Sequence, residues 1–97
     1  MKGQRPTVGR AVHYVSHGTP VRADGTQEYV ATCRAATVTE VNAEEPYQVG
    51  LQVVNPTGVF FRPLSEGGAF LHDAHGAACS LPPEERRGGT WHWPERV

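Results

Sequence analysis

His72, His75 and Cys79 stand in a His-x2-His-x3-Cys spacing, and imidazole and thiolate are ligands that suit zinc. A helical turn or tight loop would bring all three onto one ion, with Asp73 or the distant Cys33 as fourth ligand. Strong zinc signatures carry two ligand pairs, and the second is missing here. The favoured reading is therefore a Gly- and Ala-rich loop that contains two histidines, with no metal and no cofactor expected. A nucleophilic pair can also be drawn, from Cys33 with His13 or from Cys79 with His75. Nothing in the spacing sets either distance, and Cys33 opens a Thr/Ala/Val stretch where a free cysteine serves as a small buried hydrophobe. Gly67-Gly68 and Gly88-Gly89 are lone pairs that read as hinges, not a phosphate loop. The acid pairs Glu44-Glu45 and Glu84-Glu85 read as solvated charge in polar turns. No catalytic residue is expected, and the protein is read as a non-enzyme.

The aromatic residues point to binding. Both tryptophans lie in the last ten residues, and rings are costly to leave in water, so this segment is expected to dock. Trp91 and Trp93 are two apart, which in a strand sends both indoles to one face and His92 to the other. Pro94 then ends the ladder for want of an N–H. Tyr14, Trp91 and Trp93, with His13, His92, Arg34 and Arg62, can line a cleft where rings stack on a planar ligand and arginines meet its anionic groups. The competing reading has Trp91 and Trp93 capping the open end of a barrel, and both hold if one indole is core and the other is not. Phe60 and Phe61 are adjacent, so a strand sends them to opposite sides. Phe70 and Leu71 are candidates to cover whichever is left outside. Without that cover, Phe60 and Phe70 mark a protein contact or a self-association edge.

Composition narrows the classes further. A chain of 97 residues buries about two-thirds of its unfolded surface, enough for one small core and one domain. Eleven glycines and eight prolines favour turns over long helices. A formal charge of -1, with no basic run longer than Arg86-Arg87, gives counterion release little to work with, so nucleic acid is not expected as a partner. No stretch approaches the length needed to span a bilayer, and the first residues lack an apolar signal core. A soluble, cytoplasmic protein with Cys33 and Cys79 reduced is the expectation.

The elements that must position these residues are strands. Val8 to Val15 alternates, with Val8, Arg10, Val12 and Tyr14 on one face. Residues 16–28 form a polar loop. Tyr29 to Val41 is rich in β-branched residues and reads as a long second strand. Tyr47, Val49, Leu51 and Val53 alternate with Gln48, Gly50, Gln52 and Val54 in a third. Asn55-Pro56-Thr57-Gly58 then turns the chain into Val59-Phe60-Phe61, with Pro56 presetting φ and Gly58 tolerating a positive one. Residues 62–89 read as an irregular excursion with an apolar island at Ala69-Phe70-Leu71 and one helical turn around Pro83 to Arg86. Trp91 to Trp93 closes the fold. The whole predicts an all-β, single-domain, mostly antiparallel small barrel of the SH3/Tudor type, with an open antiparallel sheet as the alternative.

Four blocks, ValGlyArgAlaValHisTyr at 8–14, CysArgAlaAlaThrValThrGluVal at 33–41, ValGlyLeuGlnValValAsnProThrGlyValPhePhe at 49–61 and GlyThrTrpHisTrpProGlu at 89–95, resemble a family of small uncharacterised proteins of actinobacteria and their phages. The resemblance implies a phage or prophage origin and carries no activity with it. Residues 62–88 depart from the family's pattern, being longer and holding HisAspAlaHis in place of a short polar loop. Three functions follow as expectations. The first is an accessory module engaging a host protein. The others are a protein that sequesters a nucleotide-like defence signal and a virion decoration or accessory protein. The oligomeric state is left open.

Overall fold

The computed structural model describes residues 5–20, 22–27, 31–72 and 87–94. Its strands are β1 (Ala11–Val15), β2 (Cys33–Val41), β3 (Gln48–Asn55), β4 (Gly58–Arg62), β5 (Ala69–Leu71) and β6 (Thr90–His92), with a single 3-10 turn at Leu64–Glu66. The sheet order is β2-β1-β6-β5-β3-β4, and a β2–β3 pairing closes the first five strands into a barrel. β4 lies outside that ring and, among the described residues, pairs only with β3. The protein is thus a small all-β barrel of the SH3/Tudor-like kind, as its alternating patterns predict. Every pairing is antiparallel except β5 with β6.

Alternation decides what fills the barrel. Val12 and Tyr14 of β1, Ala36 and Val38 of β2, Val49, Leu51 and Val53 of β3, Ala69 of β5 and Trp91 of β6 form one buried cluster. These are every-other residues of their strands, as a pleat dictates. Val15 points outward yet is buried, because it packs with Ala31 and Cys33 in a second, smaller cluster. The loop after β1 makes this possible by returning to β2, with the Ser16 N–H donating to the Thr32 carbonyl and the Thr32 N–H to the Ser16 hydroxyl. Farther out, the Asp24 carboxylate accepts from both the N–H and the hydroxyl of Thr26. Those bonds hold its pKa below the usual carboxylate range.

Two glycines are required by close approach. Gly50 lies opposite Glu40 next to a bulge in β2, and a Cβ there would sit 2.6 Å from the Glu40 carboxylate. That gap lets Glu40 cross β3 and accept the Leu64 N–H at 3.0 Å, anchoring the 3-10 turn. Gly68 has φ +55° and a Cβ there would meet the Val49 carbonyl, so β5 reaches β3 only with glycine at its entrance.

Several boundaries differ from the sequence expectation. The first strand starts at Ala11, because Val8 and Gly9 form a turn closed by the Arg10 N–H on the Thr7 carbonyl. The second starts at Cys33, and Tyr29 lies outside the described residues. Gly58 is absent from the positive-φ residues and pairs with Asn55 as part of the ladder. Only Pro56 and Thr57 make the turn, and since neither has positive φ the turn does without a left-handed residue. The excursion begins with order: the 3-10 turn and then the apolar island, which is β5. The helical turn expected at Pro83 to Arg86 lies outside the described residues.

Candidate functional site

The residues expected to line one cleft, Tyr14, Arg34, Arg62, Trp91, His92 and Trp93, are sorted by the barrel into three places. The first is the barrel end beside Tyr14. Tyr14 pairs with Arg34 across β1–β2, so the two side chains share the inner face. Arg62 pairs with Leu51 and Phe60 with Val53, which turns both toward the same interior. The Phe60 ring meets Tyr14 edge-on with centroids 6.2 Å apart, and the Arg62 guanidinium lies 6.0 Å from the Tyr14 ring centre. Burial raises the Tyr14 pKa, while the charge of Arg62 and its hydrogen bond to the phenol work the other way. The phenol keeps its proton at neutral pH and remains a donor.

The tryptophans occupy the second place. Trp91 is fully buried, and its indole N–H donates to the Tyr47 carbonyl at 2.8 Å. Trp93, half-buried, stands edge-on to Trp91 with centroids 5.2 Å apart, and Arg10 lies 4.9 Å over its ring. Trp91 is therefore a core residue bridging β6 to the end of the β2–β3 turn, and it is not a ligand-facing ring. Trp93 continues the stack toward the start of β1, away from Arg34 and Arg62, since β6 runs antiparallel to β1 with Trp91 opposite Tyr14.

His92 defines the third place, on the outer face. It pairs with His13, and the two rings meet edge-on at 5.3 Å. Its Nε2 lies 3.7 Å from the Cys33 sulfur. The His72 N–H donates to the Trp91 carbonyl, which brings His72 alongside His92. Burial, aided by the charges of His13 and His72, lowers the His92 pKa to about 4. An imidazole that stays neutral to such low pH is a weak acceptor for a thiol proton, so His92 is a poor base toward Cys33. The sequence allows a Cys33–His13 pair without setting its distance; the structure places the His92 imidazole at the sulfur. Among the described residues no group of three or more His, Cys, Asp or Glu is gathered to hold a metal ion. His75 and Cys79 lie outside the described residues.

The protein-contact candidates divide as well. Phe60 is 37% exposed at the barrel end, and Phe70 is 53% exposed on β5. Phe70 does not cover β4, where Phe61 stays 63% exposed. Phe61 pairs with Gln52 and Val59 with Val54, so Val54, Val59 and Phe61 form an apolar strip on the outer face. The exposed Ala35, paired with Val54, extends it onto β2. Sequence reasoning missed Val54 and Val59. Their signal was the break in alternation at Val53-Val54 and the unbroken apolar run from Val59 to Phe61.

Searches of protein-family models, curated proteins and solved structures return no match to this chain. Among the described residues no helix is long and apolar enough to cross a membrane.

Proposed function

We propose that this barrel is a non-catalytic binding module that engages a protein partner along β4. One observation carries the reading: β4 ends the sheet order and presents Val59, Phe60 and Phe61 in sequence on an edge strand. Edge strands are ordinarily guarded by charge, proline or brevity, because their outward N–H and C=O groups invite another chain. This one carries its only charge at Arg62, whose guanidinium is turned toward Tyr14. An extended segment of a partner would add as a further strand, with the Val54–Val59–Phe61 strip receiving its side chains. Fully burying one such exposed valine or phenylalanine contributes about 1.5–3 kcal/mol, so this small strip suffices for a specific contact. In the phage or prophage setting that the family resemblance implies, the proposed partner is a host protein and the module acts in the host cytoplasm.

The test places a photo-crosslinking residue at Phe61 and, as a control, at Thr39, which is exposed on β2. A covalent adduct with one heterologous protein at position 61 and none at 39 is the expected outcome. Adducts solely with a second copy of this chain would replace the reading with self-assembly, as in a virion component. No adduct at either position would end it.

A further inference from the structure

We infer that the barrel end beside Tyr14 is a binding site for a small phosphate-bearing ligand with a planar ring, of the mononucleotide class, held by the guanidinium groups of Arg34 and Arg62. This site shares β4 with the proposed docking edge but lies on its inner face, opposite the Val59 and Phe61 strip, and neither proposal needs the other. Arg34 and Arg62 both flank Tyr14, one through the β1–β2 register and the other through its hydrogen bond to the phenol. The Nε of each guanidinium is buried and has no hydrogen-bond partner among the described residues. A guanidinium is charged at every physiological pH and carries five donors in a planar fork, so two buried Nε–H groups, each on an arginine related to Tyr14, are an unmet demand for acceptors. Oxyanions meet that demand with several lone pairs at once, and phosphate is matched bidentately by such forks.

Two further features narrow the ligand. The net charge of the whole chain is -1, so the paired arginines are a local cationic spot and not part of a basic surface for a long polyanion. Phe60 packs edge-on against Tyr14 and remains 37% exposed, which leaves aromatic surface beside the arginines for a planar group. Tyr14 itself is buried, and its hydrogen bond with Arg62 positions that guanidinium. Phosphate on the arginines and a base against Phe60 would use Arg34, Arg62 and Phe60 together, with Tyr14 behind them.

Arginine Nε–H groups give their own signals in nitrogen–proton correlation spectra, so each guanidinium can be followed directly. Titration with inorganic phosphate, with adenosine monophosphate and with adenosine separates the contributions. Phosphate is expected to move the Arg34 and Arg62 signals and leave that of Arg22, exposed in the loop after β1, in place. Adenosine monophosphate should do so at a concentration at least tenfold lower, and adenosine should not move them. Arg62→Gln should abolish the response while the Trp91 indole N–H signal, bonded to the Tyr47 carbonyl, stays at its folded position. If that variant unfolds, the wild-type titration decides alone. No movement of the Arg34 and Arg62 signals, or equal movement at Arg22, would overturn the site. Equal affinity for phosphate and adenosine monophosphate would overturn the planar ring.

Discussion

Lowering the pH from neutral toward 4 should destabilise this barrel by way of His92. Its pKa is lowered from 6.5 to about 4 in the folded protein, because burial and the charges of His13 and His72 oppose protonation. A depressed histidine pKa means that the unfolded chain binds the proton more tightly, so the stabilisation is complete above pH 6.5 and is lost as pH falls from there toward 4. With 1.36 kcal/mol per unit, the full loss is about 3 kcal/mol, and about 2 kcal/mol is gone by pH 5. For a domain of this size that corresponds to a fall of about 8–16 °C in Tm at pH 5. The groups that face His92 are His13 on β1, Cys33 on β2 and His72 after β5. The assay is urea unfolding at half-unit steps from pH 4 to 8 for the wild type and His92→Gln. The wild-type curve should drop across the window, and the difference between the two proteins should shrink toward low pH as the wild type loses its advantage. Parallel pH profiles for the two proteins would refute the reasoning, as would a His92 imidazole that titrates near pH 6.5 in proton spectra of the folded wild type.

Two further tests address packing. Trp91→Ala should cost about 3–5 kcal/mol, because it empties the barrel centre and strands the Tyr47 carbonyl, whereas Trp93→Ala, which loses the half-buried ring under Arg10, should cost about half that or less by the same chemical denaturation. Gly68→Ala should destabilise by more than 1 kcal/mol through its positive φ and the encounter with the Val49 carbonyl, while Gly25→Ala, also at positive φ but with open space around it, should cost less in thermal melts.

Strand existence was legible where alternation ran long enough to show a period. Val12 and Tyr14, or Val49, Leu51 and Val53, can only belong to one face of a pleat. β5 escaped because Ala69-Phe70-Leu71 is three residues long, too short for any period, and its pairing with β3 depends on Gly68, whose role appears only when two backbones meet. The candidate site was legible in its residue types and illegible in its grouping. That Trp91 and Trp93 share a face opposite His92 follows from spacing. That Tyr14 meets Arg34, Phe60 and Arg62 while His92 meets His13 and Cys33 follows from register across strands distant in sequence, which local pattern does not encode. Exposure of one phenylalanine was expected unless Phe70 and Leu71 covered it, and Phe61 is left exposed because Phe70 takes the outer face of β5 and is itself exposed.

The pairing of β6 with β1 has a consequence for biosynthesis. Of the described strands β1 is made first and β6 last, so the ring stays open while those between them are made. During that interval the β2–β3–β4 meander can form from neighbouring segments, but the space between its apolar face and Tyr14 lacks the indole that fills it. At synthesis rates of about 5–20 residues per second the wait from β1 to β6 lasts about 4–16 s, far longer than hairpin formation. The nascent chain therefore presents an unfilled half-barrel with a bare Phe61 edge to whatever it meets first, and a partner or chaperone acting at that stage would find the edge before the core is sealed.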